Sequence, residues 1–259
     1  MRESYWGVVL FTFEIRFYPR SFEEPFIDEF DDAMQWYVAA LAKNGQILPT
    51  YQISTRLANC YVYHVVAPEM DSLDEMHDNK YCRMFLATVV EKSHTPPEIS
   101  LVGGNYDIED CCVCEDPSYY VLSTPDRAFE PPVVCGDCQK NLPLYRLPKT
   151  DDGEEYYAVL WWQRVYQACD LQFLSGIGER HGYRMMNNPT SELAEEGLRI
   201  CAHWEEQVKK PFYYFLYKHY RRNGPTCPKC ADNWVNEDPG IKYDYVCGKC
   251  RLVSNDLGD

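Results

Sequence analysis

Apolar and polar residues alternate along YWGVVLFTFEIRFY, residues 5–18, placing Val9, Phe11, Phe13 and Ile15 on one side, which predicts a strand. The period then changes. Phe26, Phe30, Met34, Tyr37 and Leu41 recur at spacings of three and four and make one helical face, with Asn44-Gly45 as the stop signal. Glu23, Glu24, Asp28 and Glu29 fall in the first turns of this helix, where they complement its dipole. Residues 47–55 and 59–67 read as two strands joined by a short polar turn. A second helix is predicted from Asp71 through about Glu91, and residues 97–104, PEISLVGG, as a closing strand. The order β-α-β-β-α-β is that of a ferredoxin-like α/β sandwich, assigned to residues 1–104.

From residue 105 the pattern turns irregular, with Cys111, Cys112 and Cys114, the Pro-rich passage FEPPVV, and Cys135-Gly-Asp-Cys138. Residues 156–174, YYAVLWWQRVYQACDLQFL, are strongly aromatic and are predicted to begin as a strand. In residues 188–210, Leu193, Leu198, Cys201, Trp204 and Val208 lie near one stripe of an amphipathic helix that Thr190 or Ser191 can cap. PFYYFLYKHY, residues 211–220, reads as a strand with Tyr213, Phe215 and Tyr217 on one face and Phe212, Tyr214 and Leu216 on the other. RRNGPT then serves as a linker. The chain is therefore expected to be α+β. It would comprise the sandwich at 1–104, an α+β region with a Cys-rich loop at 105–220, and a zinc ribbon at 221–259.

The ribbon follows from spacing. Cys227-x-x-Cys230 and Cys247-x-x-Cys250 are separated by sixteen residues. Each turn can aim two sulfurs at one ion, and the intervening hairpin brings the pairs together around tetrahedral zinc. Four protein ligands leave no position open for water, so such a site is structural. A redox reading of one pair leaves the other without a role, and no thioredoxin-type strand-to-helix context precedes either. Cys112-x-Cys114 with Cys135-x-x-Cys138 offers a second zinc set, although its Cys-x-Cys half is less usual. Cys111 is an adjacent spare that could replace Cys112, and the alternative is a group of reduced core thiols. Ligation would explain how this Pro-rich stretch folds, because metal binding contributes directly to folding.

The motifs NGQI (44–47), NKYC (79–82), CGDC (135–138), PLYRLPKT (143–150), YQACD (166–170), GER (178–180), YYFLYK (213–218) and CPKC…CGKCRLVSN together resemble an uncharacterised bacterial family. That family is described as zinc-ribbon-containing, with nucleic-acid binding conjectured for it. The resemblance runs through nearly the whole chain. It implies a ribbon at Cys227, Cys230, Cys247 and Cys250; the other cysteines rest on spacing alone.

Charge changes the picture. The 259 residues hold 25 Lys and Arg against 40 Asp and Glu, for a formal charge of -15. Residues 1–110 carry eight basic and eighteen acidic side chains, whereas residues 221–259 carry six of each. Phosphate binding draws its free energy from cations that displace counterions, so a surface of this sign repels a polyanion. Lys229, Lys242, Lys249 and Arg251 offer local cations, but the basic domain expected of a nucleic-acid binder is missing. No run approaches the roughly 20 apolar residues that span a bilayer, and the N-terminus lacks a signal-peptide pattern. A cytoplasmic protein with reduced cysteines and no membrane role is expected.

Glu179, Arg180 and His181, with Asp170 before them, could do acid–base work. No nucleophile, phosphate loop or open metal site accompanies them, so a hydrogen-bonded turn is the simpler reading and an enzyme ranks last. His64 and His203 are scattered, and the aromatics near Lys218, Arg221 and Arg222 suit core packing as well as base stacking. The favoured expectation is a protein-binding protein whose acidic surface meets a basic partner. Its specific form is a bacterial immunity protein, or antitoxin, that occludes a cognate toxin. A nucleic-acid-binding ribbon is the alternative. Glu23, Glu24, Asp28, Glu29, Asp31 and Asp32 mark a candidate partner face, which as a plain alternative is a solvated helix side.

Overall fold

A computed structural model describes residues 10–50, 52–105, 111–124, 130–151, 153–220 and 223–256. Val9, Arg221 and Arg222 lie outside them. Two compact units form. The first runs to Cys111 and also takes Pro143–Tyr156; the second holds the described parts of Cys112–Ala128, Pro132–Leu142 and Tyr157–Asp259.

In the first unit, β1 (Leu10–Phe17), α1 (Phe26–Lys43), β2 (Gln52–Arg56), β3 (Tyr61–Ala67), α2 (Lys80–Lys92) and β4 (Glu98–Asn105) follow the anticipated order. The four strands form an antiparallel sheet in the order β2-β3-β1-β4. Phe13, Ile15 and Phe17 of β1, with Tyr61, Tyr63 and Val65 of β3, pack against Phe30, Met34, Tyr37 and Leu41 of α1 and against Cys82 and Val89 of α2. β1 alternates regularly, so Leu10 lies on the face opposite Phe11, Phe13 and Ile15 and joins Leu48, Val66 and Cys111; the register shift against β4 between Thr12 and Phe13 is taken up in β4. α1 stops where expected: Gly45 has φ +75°, and a Cβ there would lie 2.8 Å from the Leu144 Cβ.

The second helix starts later than the sequence suggests. Asp71 opens no helix because the Ser72 hydroxyl accepts from the Glu69 amide and the Ser72 carbonyl accepts from Gln46 Nε2, holding the segment in turns. A single 3-10 turn, Glu75–His77, follows. Asn79 is the true cap; its Oδ1 accepts from the amides of Tyr81 and Cys82 at 3.0 and 2.9 Å. Likewise Glu23 and Glu24 precede α1, leaving Asp28 and Glu29 in its first turn.

The second unit contains β5 (Tyr120–Leu122), β6 (Val133–Cys135), α3 (Tyr157–Ser175), α4 (Glu179–Asn187), α5 (Glu192–Val208), β7 (Phe212–Phe215), β8 (Tyr245–Cys247) and β9 (Leu252–Ser254). Its mixed sheet runs β6-β5-β7-β9-β8, parallel in the middle and antiparallel at both edges. Residues 221–259, anticipated as a module of their own, supply β8 and β9 to this sheet. Phe212 and Tyr214 of β7 meet Trp204 of α5 and Trp162 of α3. On the other face, Tyr213 clusters with Tyr119, Val121, Tyr243 and Val253.

Three sequence expectations fail here. The aromatic stretch 156–174 is a helix from Tyr157, not a strand, because Val159, Trp162, Gln163, Tyr166, Cys169, Asp170 and Phe173 are buried at helical spacing. GERHG is the start of α4, not a turn. Gly178 supplies the left-handed entry, with φ +80°, and Gly182 lets α4 cross α3 where a Cβ would sit 2.1 Å from the Cys169 carbonyl oxygen. On α5, Ser191 is the residue that caps, accepting from the Ala194 amide at 3.1 Å. β7 ends at Phe215, short of the strand anticipated through Tyr220.

Candidate metal centres

Three of the four cysteine pairs are built as the same knuckle. At Cys135–Cys138, the Cys135 amide donates to the Lys140 carbonyl (2.9 Å) and the Gln139 amide donates to the Cys135 carbonyl (2.9 Å). At Cys227–Cys230, the Cys227 amide donates to Asp232 O (2.7 Å) and the Ala231 amide to Cys227 O (2.9 Å). At Cys247–Cys250, Cys247 faces Leu252 across the β8–β9 pair. In each, the first cysteine pairs with the residue five positions on, and the residue after the second cysteine is left-handed: Gln139 at φ 62°, Ala231 at 63° and Arg251 at 53°. This tight reversal points both sulfurs of a pair to one side. The fourth pair differs: Cys112 is held by its amide's bond to Asn141 O (2.7 Å), and the Cys114 amide donates to Cys112 Sγ at 3.3 Å.

The knuckles converge in two groups. The Sγ atoms of Cys112, Cys114, Cys135 and Cys138 all lie within 4.8 Å of one another, as do those of Cys227, Cys230, Cys247 and Cys250. In each group two cysteines are buried and two half-buried. Cys111, the spare, points elsewhere, into the apolar cluster with Leu10, Leu48 and Val66. Because β6 and β8 are the two edge strands and run in the same direction, the groups sit at the same end of one sheet, on opposite edges.

Burial disfavours the charged form of these thiols and raises Cys112 and Cys250, while nearby amides work against it at other positions. Burial pushes Cys247 up to about 11 despite the Cys250 amide directed at its sulfur (3.4 Å). At Cys227 burial acts in the same sense, but the amides of Cys230 and Lys229 outweigh it and bring the thiol below its usual value. Cys138 is lowered in the same manner, with the Lys140 amide first among the groups opposing its burial. Four thiolates this close repel one another, and a divalent ion at their centre offsets that repulsion. An all-sulfur set of four suits a soft or borderline ion in tetrahedral coordination and closes it to water.

The surrounding structure is specific to each knuckle. Gly136 lies under the Tyr119 ring, where a Cβ would come within 2.5 Å of ring carbons. The Tyr119 hydroxyl accepts from the Lys242 amide (3.2 Å), and Lys242 Nζ donates to the Asp137 carbonyl (3.1 Å). Thus the loop before β8 is fastened across the sheet to the Cys135–Cys138 knuckle. Asn236 stiffens that loop, with Nδ2 directed at the carbonyls of Asp238, Ile241 and Tyr243 at 2.8–3.1 Å. Trp234 fills its base and donates to Gly224 O at 2.8 Å.

Residues 114–217 match the model of a domain of unknown function, DUF2310. Residues 220–256, which contain Cys227, Cys230, Cys247 and Cys250, match a second domain of unknown function, DUF8594. A Haemophilus influenzae protein described as an uncharacterized protein is 26% identical over 223 residues, covering 82% of this chain and 85% of its own. Another from the same organism, with the same description, is 27% identical over 162 residues, or 60% of this chain and 79% of its own. Among solved structures, a putative antibiotic biosynthesis monooxygenase from Caulobacter crescentus aligns with a TM-score of 0.31 at 14% identity, over 38% of this chain and 92% of its own.

The other sequence candidates are dispersed. Glu179 on α4 accepts from the Tyr220 hydroxyl, and Asp170 is buried on α3. His64 faces Glu14 at 3.5 Å and His203 pairs with Gln207 on α5. Of the proposed acidic face, Glu23, Glu24, Asp28 and Asp32 are exposed, while Glu29 pairs with Lys92 (2.5 Å). Asp31 turns inward: burial first, and then Asp31, push the Tyr61 phenol up to about 12. No helix among the described residues is long and apolar enough to cross a membrane.

Proposed function

We propose that this is a non-catalytic interaction protein, stapled by two structural zinc ions, that uses the acidic surface of its first unit to bind a basic protein partner. In this reading the first unit is a ferredoxin-like sandwich and residues 227–250 form a zinc ribbon. Zinc is favoured over other ions because both donor sets are four sulfurs in a closed arrangement.

The observation that carries the choice of partner is the fate of the ribbon's cations. Lys249 pairs with Asp232 at 3.0 Å and Arg251 is held by Glu205, whereas Lys242 bonds only the neutral Asp137 carbonyl and keeps its charge. Of the four local cations, Lys229 and Lys242 have no carboxylate paired with them among the described residues, and counterion release from two lysines is too small to hold a polyanion at physiological salt. Exposed acids on the first unit instead favour fast encounter with a basic surface. The charge balance supports an interaction protein; an immunity protein covering the basic cleft of a toxin is its specific form by analogy with small acidic proteins of that kind.

Expression of the neighbouring gene's product with and without this protein tests that form directly. Relief of toxicity together with a stable complex is expected, and a harmless neighbour with no co-purifying protein would contradict it. Tight binding of labelled RNA or DNA in physiological buffer, weakening steeply with salt, would replace the protein-partner reading by the ribbon one.

A further inference from the structure

A cavity of about 250 Å³ opens between α1, α2 and the Pro143–Tyr156 segment, within the first unit. Its walls are Trp36, Ala40 and Lys43 of α1, Tyr81 and Phe85 of α2, and Glu155. The Trp36 and Phe85 rings stack with centroids 5.9 Å apart, yet Trp36 stays 55% exposed. Such an aromatic surface is a natural base for a flat apolar group. Lys43 and Glu155, of opposite charge, both line the cavity. Among the described residues neither side chain makes a hydrogen bond or a salt bridge, although Glu155 acts on Lys149 through space.

The walls are fixed from behind by a buried polar network that the motifs NGQI, NKYC and PLYRLPKT supply. Asn44 Nδ2 donates to Gln46 Oε1 (2.7 Å) and to the His77 carbonyl (2.8 Å), and Gln46 Nε2 donates to Asp78 Oδ1 (3.0 Å). Lys149 Nζ donates to Asn44 Oδ1 and lies 4.3 Å from the centre of the Tyr156 ring. Glu155 itself is clamped on both sides. The preceding Glu154 carbonyl accepts from the cap residue Asn79 (2.6 Å), and the following Tyr156 amide donates to the Lys43 carbonyl (3.0 Å). Asn44 and Gln46 are fully buried, and a connected network of this kind holds the side chains in front of it in one geometry.

An apolar cleft with a few convergent polar groups is the usual form of a small-molecule site, and this one is below the roughly 300–1,000 Å³ of drug-sized pockets. We infer that the cavity binds a small aromatic zwitterion, such as an aromatic α-amino acid. Its ring lies on the Trp36–Phe85–Tyr81 wall, its carboxylate meets Lys43 and its ammonium meets Glu155. The site is independent of the partner-binding reading above, since it uses neither the exposed acids of α1 nor the cysteines.

Calorimetric titration of the full chain with L-phenylalanine, 2-phenylethylamine and 3-phenylpropanoate separates the contributions. L-Phenylalanine should bind about tenfold tighter than either singly charged probe. Lys43→Met should abolish its advantage over phenylethylamine and Glu155→Gln its advantage over phenylpropanoate, while Trp36→Ala weakens all three. Unchanged melting temperatures would certify that the variants are folded. Equal affinity for all three probes, no binding up to about 10 mM, or full binding by folded Lys43→Met and Glu155→Gln would overturn the assignment.

Discussion

Arg251, the residue after Cys250, donates from Nε to both carboxylate oxygens of Glu205 on α5 at 2.8 and 3.1 Å, and from Nη2 at 2.5 Å. Its guanidinium also lies 5.6 Å from the centre of the Tyr213 ring. One side chain thus ties the metal knuckle to a helix and to the central strand. Burial alone would raise the Glu205 carboxyl, but the Arg251 hydrogen bonds and the Phe212 amide outweigh it and hold the group below its usual value. Because the folded value is depressed, its stabilising contribution is present above the unfolded pKa near 4.3 and is lost as pH falls through the folded one. A double-mutant cycle of Glu205→Gln and Arg251→Ala, followed by denaturant unfolding, should give a coupling of about 1 kcal/mol at pH 7, a figure already discounted for partial solvent exposure. The coupling should shrink below about pH 4.

Ala231 occupies the left-handed region at φ 63°, a conformation that costs a non-glycine residue about 1–2 kcal/mol. Ala231→Gly should therefore raise stability by up to about 1 kcal/mol, after the entropic cost of glycine in the unfolded chain is subtracted. Thermal unfolding of the metal-loaded protein reads this. A lower melting temperature would contradict the knuckle geometry.

Gly182 is where α4 crosses α3 with backbone against side-chain space, and the obstruction to a Cβ is the Cys169 carbonyl, which cannot rotate aside. Gly182→Ala should cost about 1–3 kcal/mol through overpacking. Gly224→Ala, where no heavy atom lies within 4 Å of the added Cβ, should be nearly neutral. Denaturant midpoints of the two variants make the comparison.

Burial lowers Lys149 to about 8, against the opposing pull of Cys82, Glu154 and Glu155. The unfolded lysine titrates near 10.4, so between about pH 8 and 10 the unfolded state binds more protons and this residue's contribution to stability rises with pH. Below pH 8 its desolvation penalty is present in full. Other groups titrate in the same range, and buried Cys82, raised to about 12, acts in the opposite sense. The difference between wild type and Lys149→Met isolates the term: wild type should gain on the variant as pH rises from 7.5 to 9.5. A constant difference would mean that the lysine titrates normally.

The first unit was legible because its strands and α1 bury one face each, so period and burial agree at Phe13, Ile15, Phe30, Met34 and Tyr37. The cysteine groups were legible because ligand spacing is a local property. What misled was aromatic content. In α3, Tyr157, Trp161 and Leu171 are 49%, 51% and 67% exposed, so apolar residues occupy several faces and the helical period is blurred unless Val159, Trp162, Tyr166, Cys169 and Phe173 are singled out. The start of α2 was misplaced because Asp71 and Asn79 are both fair caps by type, and only long-range bonds from Gln46 decide between them. The cavity was invisible for the same reason: Lys43, Tyr81 and Glu155 meet only through tertiary packing.

The central claim is that each four-sulfur group closes around a structural ion. Elemental analysis of the purified chain, beside variants, tests it most directly. The account predicts two zinc ions per chain, one in Cys112→Ser/Cys135→Ser and one in Cys227→Ser/Cys247→Ser, with cooperative unfolding weakened in both. A folded wild-type chain that carries no metal, or a metal count that neither double variant changes, would contradict it.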